Sequence, residues 1–178
     1  MVSIAIVGPE SSGKTTLCEA LAAHYDVAFV PEFAREYLMR RGGSYEEADL
    51  SVIAKGQYEN GVRIEHENSR SPMILHDTEM LTMKIWSEER FGRVHRRIEE
   101  LLARQQFDHW LLCRPDIPWE ADPLRENPDD RDRLFAIYEA ELLKMREPYT
   151  IMEGGHGTRM RKAIAVIDRI AGGMLRDG

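Results

Sequence analysis

Gly8-Pro9-Glu10-Ser11-Ser12-Gly13-Lys14-Thr15 decides how the rest of the chain is read. The stretch matches G-x-x-x-x-G-K-[ST], the spacing of a phosphate-binding loop. Before it, Val2-Ser3-Ile4-Ala5-Ile6-Val7 is a short apolar run with β-branched residues, which predicts a buried parallel strand. After it, Thr16 to Ala23 predicts a helix with Leu17 and Leu21 on one face. A strand, a glycine loop and a helix are the setting the motif requires. The glycines let the backbone curl so that several N–H groups point into one hollow, and the helix start adds partial positive charge. Gly8, Glu10, Ser11, Ser12, Gly13, Lys14, Thr15 and Thr16 are therefore the expected nucleotide-binding residues. Lys14 is expected to reach the β- and γ-phosphates of ATP, and Thr15 to offer its hydroxyl to magnesium.

Working outward, the chain repeats an alternation of short apolar runs with helical stretches. Val27-Ala28-Phe29-Val30 predicts a second strand, and Phe33 to about Arg41 a helix closed by Gly42-Gly43. Glu32, Arg35 and Glu36 then fall at i, i+3 and i+4 on one face. In open α/β sheets ligands bind at the carboxyl ends of the strands. Glu32 stands at such an end, as a candidate base for a substrate hydroxyl, with Arg35 a candidate phosphate partner. Ser44 and Glu47 have capping-box spacing ahead of a long helix to about Asn68, on which Leu50, Ile53, Gln57, Gly61 and Ile64 form a core stripe. Met73 to His76 predicts the third strand, ending in Asp77. An acid there can hold magnesium, directly or through water, or Asp77 or Thr78 can cap the next helix; the roles are compatible.

Glu79 to about Phe91 and Arg93 to Gln106 predict two helices, with Trp86 as a packing residue that also qualifies for the pocket wall. His109 to Cys113 is the fourth expected strand. Pro115, Pro118, Pro123 and Pro128 then crowd a stretch that cannot be an ordinary helix or central strand. Residues of about 115–133, carrying Trp119, Asp122, Arg125, Arg131 and Arg133, are expected to form a lid whose arginines neutralise charge on a transferring phosphoryl group. Asn127 and Pro128 read as the N-cap and first position of a helix running to about Arg146. Tyr149 to Glu153 is the fifth expected strand; Gly154 to Gly157 reads as a flexible turn, and Thr158 to Ala171 as the last helix.

Composition sets the outer limits. The 178 residues suit a single domain, 1–178. A net charge of −7 argues against a nucleic-acid surface. Cys18 and Cys113 lie far apart in apolar runs, as buried free thiols would, and no apolar run approaches the roughly 18 residues of a membrane span. The start of the chain lacks a basic leader, so a cytoplasmic protein without membrane partners is expected. Five strands alternating with helices imply an α/β fold with a parallel sheet covered on both faces. With the phosphate loop after the first strand, this is a three-layer P-loop NTPase of nucleoside/nucleotide-kinase type. The strand order 2-3-1-4-5 is carried over from that fold class by analogy.

The Gly8–Thr15 loop, Pro31-Glu32-Phe33-Ala34-Arg35-Glu36-Tyr37, Asp77-Thr78-Glu79 and Trp119-Glu120-Ala121-Asp122-Pro123-Leu124-Arg125 together resemble the kinase domain of NadR-type proteins, the bacterial ribosylnicotinamide kinases and their AAA-labelled relatives. The resemblance covers nearly the whole chain in order. It implies transfer of the ATP γ-phosphoryl to the 5′-hydroxyl of nicotinamide riboside, giving nicotinamide mononucleotide, with ATP and Mg2+ as cofactors. In this scheme Lys14, Glu32, Arg35, Asp77, Arg125 and Arg131 carry the chemistry. Thr15 and Asp77 arrange the metal, and Glu32, Phe33, Tyr37, Asp77, Trp86 and Trp119 receive a nucleoside-like substrate. Two rival expectations remain from the residues: an ATP-hydrolysing regulatory switch that grips a protein, and a nucleic-acid 5′-hydroxyl kinase.

Overall fold

The computed structural model describes residues 1–124 and 128–174. Its order is β1 (Val2–Val7), α1 (Lys14–Tyr25), β2 (Phe29–Val30), α2 (Phe33–Arg40), α3 (Glu47–Glu67), β3 (Met73–Asp77), α4 (Met80–Phe91), α5 (Arg96–Leu102), β4 (His109–Cys113), α6 (Arg131–Met145), β5 (Tyr149–Met152) and α7 (His156–Met174). The five strands form one parallel sheet in the order β2-β3-β1-β4-β5, as expected. Parallel strands need both faces covered, which is why they read as continuous apolar runs. On one face α1 and α7 bury Leu17, Leu21, Ala163 and Ile167 against Ile4, Ile6 and Leu111. On the other, α4 and α6 close over Ala5, Val7 and Leu112 with Leu81, Phe135 and Leu142. A third cluster, built from α2, α3, α4 and α5 around Leu50, Ile53 and Met83, lies beyond the sheet edge. Among the described residues no helix is long and apolar enough to cross a membrane. Cys18 and Cys113 are buried and free.

Register places the site. Ile6 lies beside Asp77, Val30 beside His76, and Cys113 beside Met152, so the carboxyl ends of all five strands share one edge. Several boundaries depart from the sequence reading. The capping box of α3 pairs Glu46 with Asp49, whose carboxylate accepts the Glu46 N–H at 2.8 Å, and Ser44 stays outside the helix. Glu79, not Asp77 or Thr78, caps α4, because its carboxylate reaches the N–H groups of Leu81 and Thr82. Helix α5 spans only Arg96–Leu102. Helix α6 begins at Arg131 with Asp130 as its cap, so Pro128 is no first-turn residue, and the expected cap Asn127 lies outside the described residues. Helix α7 begins at His156, inside the stretch expected to be a turn.

Candidate active site

The phosphate loop leaves β1 at Gly8, whose φ is 139°. A Cβ there would lie 2.5 Å from the Cys113 carbonyl, so only glycine lets the loop pass over the end of β4. Ser11 (φ 51°) and Gly13 (φ 80°) take left-handed conformations that turn successive N–H groups inward. Buried Ser12 donates its hydroxyl to the Pro9 carbonyl at 2.7 Å, pinning the curl. The Lys14 ammonium donates to the carbonyls of Gly8 and Pro9, both at 2.9 Å, which centres its charge in the hollow. The eight expected nucleotide-binding residues all line one cavity of about 520 Å³.

Beside the loop, the Thr15 hydroxyl donates to Asp77 Oδ2 at 2.6 Å. Among the described residues, Asp77 Oδ1 is buried without a hydrogen-bond partner, as is Thr78 Oγ1. Burial raises the Asp77 pKa, opposed by the Thr15 hydrogen bond and the Lys14 charge. Thr78 holds φ at 76°, an uncommon conformation for a β-branched residue and one that recurs at functional sites. No cluster of three or more His, Cys, Asp or Glu side chains suited to a metal occurs among the described residues. A dedicated protein cage for a cation is therefore absent among them. Thr15 and Asp77 still fit Mg2+, which commonly takes one or two protein oxygens and completes its shell with phosphates and water.

Glu32 occupies the N-cap position of α2 and lines the same cavity. Desolvation raises its pKa, with Asp77 and Glu10 acting in the same sense and Lys14 and Arg35 in the opposite one. A carboxylate held in this way is a better proton acceptor than a solvated one. Arg35 also faces the cavity, but its guanidinium is paired at 2.7 Å with Asp122, in the stretch after β4 expected to form a lid. This loop and the start of α6 also meet the phosphate loop. The Glu120 N–H donates to Ser11 Oγ at 2.9 Å, and Arg131 donates to the carbonyls of Ser11 and Ile117, each at 3.1 Å.

The structure separates the expected residues into two groups. Lys14, Thr15, Glu32, Arg35 and Trp86 line the cavity, whereas Asp77 does not line it and reaches it only through its hydrogen bond with Thr15. Trp86 also donates its indole N–H to Tyr45 at 2.9 Å, so one face packs and another is presented. Phe33, Tyr37 and Trp119 do not line the cavity. The Phe33 ring is seated against Gly56, and the Tyr37 hydroxyl donates to Asp49 at 2.6 Å, so both are spent on docking α2 to α3. Trp119 stacks under the Arg131 guanidinium, 5.6 Å from ring centroid to Cζ. Arg131 therefore ties the phosphate loop to Ile117 and is not among the residues lining the cavity. Arg133 pairs with Glu89 and Asp130 on the outside. Arg125 lies outside the described residues.

Three further contributors are not among the expected site residues. Arg159, buried at the start of α7, donates to the carbonyls of Gly154 (2.8 Å), Arg114 (2.7 Å) and Ser12, and pairs with Asp116. It ties the phosphate loop to the ends of β4 and β5. Tyr138 of α6 lines the cavity and donates to Thr82 Oγ1 at 3.3 Å; Thr82 in turn donates to Glu79 at 3.2 Å. Glu79 is wholly buried, and desolvation lifts its pKa to about 7 against three hydrogen bonds.

Comparison with known proteins fits this geometry. A family model described as an AAA domain matches residues 3–159. The chain belongs to this family. Within it the chain is a NadR-type, P-loop kinase-like domain. It is 26% identical over 179 residues to the trifunctional NAD biosynthesis/regulator protein NadR of Salmonella typhimurium, covering 96% of this chain and 43% of that protein. It is 31% identical over 137 residues to the Escherichia coli protein of the same name, covering 74% of this chain and 32% of that protein. The chain thus spans less than half the length of these relatives. Among solved structures, NadR protein in complex with NAD and AMP-PNP aligns with a TM-score of 0.78 at 19% identity, covering 96% of this chain and 49% of that one. Deoxyadenosine kinase from M. mycoides aligns with a TM-score of 0.67 at 11% identity, covering 94% of this chain and all of that one. At such identities these neighbours speak to the fold, which is that of the P-loop nucleoside and nucleotide kinases.

Proposed function

We propose that the chain is an ATP-dependent small-molecule kinase that transfers the γ-phosphoryl group to the 5′-hydroxyl of a ribonucleoside, with nicotinamide riboside as the leading acceptor. The observation that carries this reading is the convergence of Lys14, Thr15 and Glu32 on one cavity with apolar and aromatic side chains in its wall, with Asp77 hydrogen-bonded to Thr15 behind it. The loop amides and Lys14 would bind the phosphates, while Thr15 and Asp77 would hold Mg2+, which would supply positive charge to offset that of the phosphates. Glu32 would orient the acceptor hydroxyl and receive its proton as the new P–O bond to the acceptor forms and the bond from the γ-phosphorus to the β,γ-bridging oxygen breaks, releasing ADP. Trp86, Met83 and Leu38 offer a wall for a flat ring. Lid residues held on Ser11 and Arg35 would keep water from taking the phosphoryl group.

The bound ligands of the NadR structures, NR in one and NAD with AMP-PNP in another, support the choice of acceptor. Offering Mg-ATP with nicotinamide riboside, common nucleosides and a 5′-hydroxyl oligonucleotide tests it by product mass. Nicotinamide mononucleotide is the expected product. Phosphate on another nucleoside moves the substrate and keeps the chemistry; ADP and phosphate with no modified acceptor point to the regulatory ATPase.

A further inference from the structure

Helix α3 presents Gly56 and Gln57 side by side to the turn Pro31-Glu32-Phe33. A glycine inside a helix costs about 1 kcal/mol relative to alanine. Here a Cβ would stand 2.4 Å from the Phe33 ring, so the missing side chain is what seats that ring. Gln57 is buried, and its amide is fully engaged. Its Oε1 accepts the Phe33 N–H at 2.7 Å. Its Nε2 donates to the Pro31 carbonyl at 3.2 Å and to the Thr78 carbonyl at 3.1 Å. The first two contacts bracket Glu32 in sequence, and the third holds the residue that follows Asp77. Strand β2 ends at Val30 and α2 begins at Phe33, so regular structure gives this turn little support of its own.

We propose that Gln57 is a positioning residue: one amide clamps the Glu32 turn to the Asp77–Thr78 turn and so fixes the candidate base against the phosphate-binding edge. The proposal rests on the kinase reading for its catalytic meaning, but the clamp itself is a property of the fold. Glu32 faces Lys14 from α1, Asp77 from β3, Arg35 from its own helix and Glu10 from the phosphate loop. Releasing the turn lets the carboxylate leave this surrounding for solvent, while the phosphate loop keeps its own bonds through Ser12 and Lys14.

The experiment compares wild type with Gln57→Leu, which removes all three bonds, and Gln57→Asn, which keeps the amide but is too short to span them. Amide exchange at Phe33 is followed by NMR, and kcat, the KM for Mg-ATP and the pH profile of kcat are measured with the acceptor found by the product screen. In both variants Phe33 exchange is expected to accelerate by about tenfold or more. Turnover falls up to about 10²-fold while the KM for ATP stays within about twofold. The acid limb of the kcat profile moves to lower pH, which general loosening of the fold would not produce. If the Gln57→Leu variant fails to fold, Gln57→Asn decides. Unchanged Phe33 exchange overturns the clamp even if no acceptor is ever found. An active wild type whose variants keep kcat and the acid limb overturns the positioning role and leaves the kinase reading standing.

Discussion

Replacing Arg159 by methionine should destabilise the protein severely, although this residue does not line the candidate active-site cavity. Its side chain is 3% exposed and its guanidinium serves four acceptors: the Ser12, Arg114 and Gly154 carbonyls and the Asp116 carboxylate. Methionine preserves much of the stem volume and removes every donor. Breaking a buried ion pair from one side costs about 3–5 kcal/mol, because the remaining charge loses its partner. The Asp116 side chain is 31% exposed, so water recovers part of its loss and the lower half of that range applies to the pair. Three carbonyls left short of a donor add about 1–3 kcal/mol each in isolation. They relax together with the pair, so their sum is not additive and about 3–5 kcal/mol stands as the total. For a domain of this size each kcal/mol moves Tm by about 2–4 °C, so a fall of roughly 6–20 °C is expected by thermal denaturation. Asp116→Asn, which keeps the three carbonyl contacts, should fall by much less. A Tm within about 2 °C of wild type for Arg159→Met would refute the claim that this residue holds the phosphate loop to the sheet edge.

Glu79→Gln tests the buried cap of α4. Folding raises the Glu79 pKa from its ordinary 4.5 to about 7, so the folded protein holds a proton that the unfolded chain releases. Stability from this group is full below 4.5 and declines as pH rises through about 7, by on the order of 3 kcal/mol. The variant should remove that decline, seen as a smaller change of Tm between about pH 5 and pH 8 than in wild type; identical pH slopes would count against it. Glu32→Gln should lower turnover by about 10²–10⁴-fold with ATP binding nearly intact, and wild-type activity should fall on acidification at a midpoint above the ordinary carboxylate value. Unaltered turnover in this variant removes Glu32 from the base role. Asp122→Asn releases Arg35 from the lid. The pair is half exposed at Arg35, so stability should change by less than about 1 kcal/mol, while ADP release without acceptor should rise as the lid opens to water. An unchanged ratio of transfer to hydrolysis would show that the contact does not hold the lid.

What the sequence made legible was whatever spacing and alternation encode. The phosphate loop follows from four positions and its flanks, and the β3 end follows from an acid after an apolar run. Glu32 is legible because strand ends share one edge in a parallel sheet, and Val30 beside His76 in register bears out that placement. Gln57 is invisible for the opposite reason. It falls at a core position of α3, where helical periodicity is the same for a packing residue and for an amide that clamps two turns. Arg159 gives no pattern either, since its acceptors come from Ser12, Arg114, Asp116 and Gly154, which only the fold brings together. Phe33 and Tyr37 are expected in the substrate wall because aromatics beside an active carboxylate suit a flat ligand. Gly56 and Asp49 take them instead, and those contacts cross from one helix to another. The start of α6 reads too early because Pro128 and the acids after it imitate a first turn, whereas the helix waits for Arg131.

The most direct test of the account is the fate of the γ-phosphate when wild-type protein and Lys14→Ala are given Mg-ATP and nicotinamide riboside. Product mass and phosphorus NMR identify what is formed and on which oxygen. The account predicts nicotinamide mononucleotide phosphorylated at the 5′-oxygen from wild type, with the rate lowered by roughly 10²–10³-fold or more in the variant. Phosphoryl transfer that survives the loss of Lys14 at full rate, or ATP turnover that modifies no acceptor, would contradict it.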